Sequence, residues 1–296
     1  MTATTTTTAE PALGRPGPAP LRLMRSELLK IVTTKAWWLL LLGALAMLAL
    51  AFLVNAIGAD FAFGESAPEG IPAEDRAAFE ASRNEVYQAA NLYTSGQFFG
   101  LMFVMLLGII LMTGEFFHQT ATATFLATPH RTAVVLAKLA VAALCGAVLW
   151  AVTTTLTVPA TATFLQRYDV PSHLGDWPVQ RAIMLNLLAY GIWGMFGVSL
   201  GVLIRSQIGA TVTAVALYLI GTAAVQIILA ILEQQLGWDW VSNVQYAMPA
   251  VASALMVTGT DLPGEPAWWV GGLVLVAYVV VAGGLGILIN RRRDVS

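Results

Sequence analysis

Gly197–Gly201 reads GVSLG, the G-x-S-x-G spacing that in some hydrolases lifts a nucleophilic serine onto a sharp strand-to-helix turn. That chemistry also needs a histidine base. Ser199 falls inside a long apolar run, and His118, His130 and His173 fall in connecting segments. The same five residues read G-x-x-x-G, and with Gly191 and Gly194 they make a small-residue face that another helix can approach closely. Helix packing is therefore the expected role of Gly191, Gly194, Gly197 and Gly201. His118 and His130 have no carboxylate or cysteine pair to complete a metal site. The single cysteine, Cys145, excludes an internal disulfide and is expected as a small buried hydrophobe. No G-x-x-x-x-G-K-[ST] loop occurs, so ATP and its magnesium would have to be bound by another chain. No catalytic residue, metal or resident cofactor is expected.

The elements that must position these residues follow from composition. Of 296 residues, 57% are hydrophobic and 11% charged, against about 25% charged in ordinary soluble domains. The net charge of −2 gives no pull toward nucleic acid. A helix needs about 20 apolar residues to cross the hydrocarbon of a bilayer. Six stretches qualify, approximately 37–57, 95–113, 133–156, 183–204, 208–232 and 268–289. The fold class expected is an all-α polytopic membrane protein. Residues 1–20, rich in threonine, alanine and proline, read as a disordered tail ahead of a transmembrane domain at 21–296. They lack the basic start and apolar core of a cleavable signal.

Basic residues set the orientation. With the N-terminus in the cytoplasm, eleven Lys and Arg fall inside (Arg15, Arg22, Arg25, Lys30, Lys35, Arg131, Lys138, Arg205 and Arg291 to Arg293). Only Arg76, Arg83, Arg167 and Arg181 fall outside. This distribution predicts both termini inside. Within the spans no Asp or Glu is expected, and Lys138 is expected to snorkel to the headgroups. Asn55, Asn186, Tyr190, Tyr218 and Gln226 are the polar members of the spans. They are read either as interhelical hydrogen-bonding groups or as contacts along a substrate path.

Four segments flank the spans. In Leu21–Thr34 a stripe of Leu21, Met24, Leu28 and Val32 opposes Arg22, Arg25 and Lys30, which predicts an interfacial elbow helix. Val241–Val257 contains Pro249 and an apolar stripe of Val244, Met248, Val251 and Leu255, which predicts a half-inserted or surface-lying outer helix. A further outer helix is expected near Pro72–Ala90. The loop 114–132 is the fourth segment. Glu115 is expected to cap the second span, Thr128 and Pro129 to open the third, and His118–Ala127 to form a short helix presenting Phe117, Phe125 and Leu126.

Four stretches together resemble the membrane subunit, or permease, of type-2 ATP-binding-cassette exporters, especially an actinobacterial branch. They are RSELLKIVTTKAWWLLLLGAL (Arg25–Leu45), GEFFHQTATATFLATPHR (Gly114–Arg131) with Ala137 and Lys138, GVSLGVLIRSQIGA (Gly197–Ala210), and the tail RRRDVS. The resemblance implies that 114–132 is a coupling helix seated on a separate ATPase subunit, with Glu115, Thr120, Phe125, Leu126, Pro129 and Arg131 in that role. It also implies a second copy or related permease as partner, surrounding lipids, and the cytoplasmic membrane of a bacterium. The exported substrate would be hydrophobic or amphipathic. Family members often show an arginine near Phe117 and a glycine where this chain has Gln119. A non-transporting anchor or sensor subunit using the same loop is the alternative.

Overall fold

The computed structural model describes residues 20–64, 80–81, 83–120, 131–237, 240–260 and 264–292. Every regular element among them is helical. Helix α1 (Pro20–Val32) opens on a proline, whose missing N–H costs nothing in a first turn. It stops where the hydroxyls of Thr33 and Thr34 donate back to the carbonyls of Leu29 and Ile31, and α2 (Ala36–Gly64) starts after that turn. Helix α3 (Glu85–Tyr93) is capped by Asn84, whose side-chain oxygen accepts from the Tyr87 N–H at 3.1 Å, and it leads through a short turn into α4 (Gln97–Phe117). Helix α5 (Arg131–Leu165) and α6 (Trp177–Leu203) follow. Helix α7 (Gln207–Leu236) contains one wide π turn at Ala216–Gly221 and ends on Gly237 in the left-handed region. Two short helices, α8 (Trp240–Asn243) and α9 (Pro249–Val257), precede α10 (Trp268–Arg292).

Six helical runs are long and apolar enough to cross a membrane: α2, α3 with α4, α5, α6, α7 and α10. The chain is a multi-pass membrane protein. The expected spans lie inside these helices, but the helices continue past the apolar stretches. Helix α2 runs to Gly64 and takes in Asp60, and α4 runs to Phe117 and takes in Glu115. The expected spans themselves hold no acid, and Asp60 and Glu115 lie in the helical turns that continue beyond them. Hydropathy marks where lipid contact is favourable, whereas the backbone stays helical until a cap or turn stops it.

Helix α6 is the hub and packs on α4, α5 and α10. A Cβ at Gly197 would land on the Met105 carbonyl, one at Gly194 would lie 2.6 Å from the Ala142 carbonyl, and one at Gly201 2.8 Å from Met112 Cβ. These three glycines let α6 meet α4 and α5 almost backbone to backbone. Gly191 differs: a Cβ there would meet only Ala143 at 3.9 Å, which is ordinary contact. Burial follows the same pattern. In the run containing α4, 67% of the most apolar stretch is buried, against 11% in α2 and in α7.

Two surface readings change. Helix α9 does not lie on the surface: Ala250, Ala252, Ser253, Leu255, Met256 and Val257 are buried as it packs on α10 and α6. Pro249 breaks the expected stripe, leaving Val244 exposed in the preceding 3-10 turn. In α1, Leu21 and Val32 are exposed, and the covered face is Met24, Glu27, Leu28 and Ile31. The outer segment expected at 72–90 is described only in its later part, where α3 begins at Glu85.

Candidate functional site

At one end of the bundle, α1 meets the last turn of α4 and the first turns of α5. Four charges converge there. Lys138 Nζ donates to Glu27 Oε2 at 2.6 Å, to Glu115 Oε1 at 3.0 Å and to the Leu111 carbonyl at 3.1 Å. Lys30 Nζ donates to Glu115 Oε1 at 2.6 Å and to Glu27 Oε1 at 2.7 Å. The result is a closed ring of two acids and two bases, neutral as a whole. Lys138, Glu27 and Glu115 are buried, while the Lys30 side chain is 42% exposed. Burial works against the Lys30 ammonium, but hydrogen bonds and charge from Glu115 and Glu27 outweigh it and raise its pKa above the ordinary lysine value.

The placement of each charge follows from helical spacing. Glu27 lies three residues after Met24 and four before Ile31, on the buried face of α1. Lys138 lies four after Val134 and four before Ala142, both buried, on the packed face of α5. Glu115 follows the buried Leu111 by one turn. The expectations that Lys138 snorkels and that Glu115 caps the second span are thus corrected. Lys138 reaches inward because two carboxylates wait there, and Glu115 sits within α4. Glu27 escaped the sequence reading, although an acid on the apolar face of an amphipathic helix was its signal.

Helix α4 ends just beyond the ring in a Schellman motif. The Thr120 N–H donates to the Glu115 carbonyl at 2.9 Å and the Gln119 N–H to the Phe116 carbonyl at 3.3 Å. Gln119 takes the left-handed conformation (φ 57°) that this motif demands, a conformation glycine adopts most easily. Phe117 therefore belongs to the last turn of α4, and a helix running on from His118 is interrupted at Gln119. The guanidinium of Arg205, in the turn between α6 and α7, stands 5.4 Å from the Phe116 ring and ties that turn to the same end. Of the residues expected to meet an ATPase, Glu115 and Thr120 are placed here and Arg131 opens α5. Phe125, Leu126 and Pro129 lie outside the described residues, as do His130 and the expected Thr128 cap.

The five polar span residues divide. The Tyr190 hydroxyl donates to the Gly96 carbonyl at 3.0 Å, the Tyr218 hydroxyl to the Phe98 carbonyl at 2.6 Å, and Asn55 Nδ2 to Ser95 Oγ at 3.0 Å. All three pin the turn that starts α4. Asn186 is buried with its Oδ1 unpartnered, and Gln226 is exposed. Tyr218 alone of the five lines a cavity of about 200 Å³, walled by Trp193, Phe196 and Tyr278. Ser199 is buried in α6 and donates to the Met195 carbonyl. His173, in the turn before α6, contacts Asp176 and Glu85 with its two ring nitrogens. Cys145 is half-buried on α5.

No protein-family model and no curated protein matches this chain. What the arrangement can do is therefore read from its own geometry. It fastens three helices together beside the segment that joins two of them.

Proposed function

We propose that this chain is the membrane subunit of an ATP-binding-cassette exporter, driven by a separate ATPase and paired with a second permease. One observation supports the reading most. The buried ring of Glu27, Lys30, Glu115 and Lys138 locks α1 to both helices that flank residues 118–130. A push on that segment would reach α1, α4 and α5 together instead of bending one of them. The left-handed Gln119 adds support, because it occupies the position where the resembling family often carries glycine.

In this reading both termini and the α1 end face the cytoplasm, and α1 is the elbow helix. The segment 114–132 seats on the ATPase through Phe125 and Leu126. Closure of the ATPase dimer moves the locked end and biases the spans between inward- and outward-open states. Hydrophobic or amphipathic substrates would move between the paired subunits.

The complex with its ATPase, reconstituted in lipid, tests this. It should hydrolyse ATP and export substrate, and Phe125→Asp with Leu126→Asp should abolish transport while the subunits fold. Unchanged assembly and turnover in the double variant would refute the coupling role. Cysteines placed at 125 and 294 should react only from the cytoplasmic side, and one at 173 only from outside.

A further inference from the structure

Beside the charged ring, a cavity of about 430 Å³ opens between the α1–α2 turn, the end of α4 and the start of α7. It shares the lining residues Ile31, Trp37, Leu40 and Leu107 with a second cavity of about 310 Å³, so the two adjoin end to end and together make a groove. The second part lies over α4 between α2 and α5, and apart from Cys145 its lining is wholly apolar. Polarity is thus confined to one mouth. Along α4, which lines both parts, the stretch from Phe103 to Glu115 rises roughly 18 Å. That exceeds the depth of one hydrocarbon leaflet, about 15 Å. A compact ligand would leave most of such a groove empty, whereas an extended acyl chain would follow it.

The mouth carries unfilled hydrogen-bonding capacity of both signs. Lys30 spends two of its three ammonium protons on Glu115 and Glu27 and is partly exposed, which leaves one donor for the groove. Ala36 and Trp37, in the first turn of α2, line the cavity, and N–H groups there have no partner within their helix. Opposite them, Gln207 lines the same cavity with its side-chain oxygen buried and unpartnered. Donors on one wall suit a phosphate. An orphaned acceptor on the other suits a headgroup hydroxyl. The exposed charges of α1 and the following turn, Arg22, Arg25, Lys30 and Lys35, are all basic, while the one acid, Glu27, is buried in the ring.

The geometry points to a binding site for one anionic phospholipid with a hydroxyl-bearing headgroup, phosphate beside Lys30 and the start of α2, hydroxyl on Gln207, and acyl chain in the groove between α2 and α5. A phosphatidylglycerol has these groups, and a phosphatidylcholine lacks the hydroxyl. The site depends on the protein being in a membrane and not on the exporter reading, so either can fail alone.

The full chain purified in detergent, mixed with equal amounts of phosphatidylglycerol and phosphatidylcholine, would be examined by native mass spectrometry. One retained phosphatidylglycerol per chain is expected, favoured several-fold over phosphatidylcholine. Gln207→Leu should erase the preference while a lipid is still held. Val148→Trp, on the exposed groove rim, should remove both lipids while the far-ultraviolet circular dichroism stays unchanged. Equal retention of the two lipids by the unaltered chain, or no retention, overturns the headgroup assignment. Undiminished retention in Val148→Trp overturns the groove.

Discussion

Replacing Lys138 with methionine keeps an unbranched side chain, one atom shorter, and removes its charge. The ammonium makes charge-assisted hydrogen bonds of 2.6 and 3.0 Å to two buried carboxylates. Such bonds contribute about 1.5–3 kcal/mol each. Their loss also leaves Glu27 and Glu115 facing one another with only the part-exposed Lys30 between them. Breaking a buried pair from one side costs about 3–5 kcal/mol, and that is the destabilisation expected here. The companion variant replaces Glu27 with Leu, Glu115 with Met and Lys138 with Met together. Because desolvating charges is itself costly, exchanging the three buried members of the ring for apolar groups, with the part-exposed Lys30 left to water, should restore most of the loss. Unfolding of the chain in mixed micelles with increasing dodecyl sulfate, followed by circular dichroism, measures both. The reasoning is refuted if Lys138→Met unfolds at the same midpoint as the unaltered chain. It is equally refuted if the triple variant unfolds as early as the single one.

Gln119→Gly should stabilise the end of α4 by about 1 kcal/mol, since a left-handed backbone costs an L side chain roughly that much. Slower amide exchange at His118 to Thr120 would register it. Gly197→Ala should cost about 1–3 kcal/mol, because its Cβ would land on the Met105 carbonyl, whereas Gly191→Ala should be neutral or stabilise by up to about 1 kcal/mol. The same dodecyl sulfate titration separates the two.

The spanning helices were legible because lipid demands a long apolar run, and a long apolar run is a local property. Helix ends were less legible: nothing in the hydropathy of Phe116–Thr120 announces the Schellman turn that stops α4. The charged ring was hidden for a different reason. Glu27 and Lys138 stand 111 residues apart, and each alone looks like an ordinary interfacial charge. Only their shared placement on packed faces, Glu27 among Met24 and Ile31 and Lys138 among Val134 and Ala142, marks them as partners. For the small residues, Gly191 and Gly197 both belong to one run of glycines on α6, and the rotation of α6 against its neighbours decides which one is needed. Tyr190 and Tyr218 could be expected to bond between helices, but not to converge on the same turn.

The contact between α4 and α6 sets what can move. At Gly108, Gly197 and Gly201 no side chain of the glycine stands between the two helices, and at Gly108 an added Cβ would strike the Gly194 carbonyl. Sliding in packed proteins occurs across interdigitated layers that can repack. Between α4 and α6 that layer is thin, with the Tyr190 ring over Gly100 and Met112 over Gly201 as its side-chain contacts, so sliding of one helix past the other is disfavoured. Helices α2 and α7 are the least buried of the spanning helices, and each is held to the start of α4 by a hydrogen bond, from Asn55 and from Tyr218. Under the proposed coupling, a displacement begun at the charged end would be carried by α4 and α6 together toward the other end of the bundle.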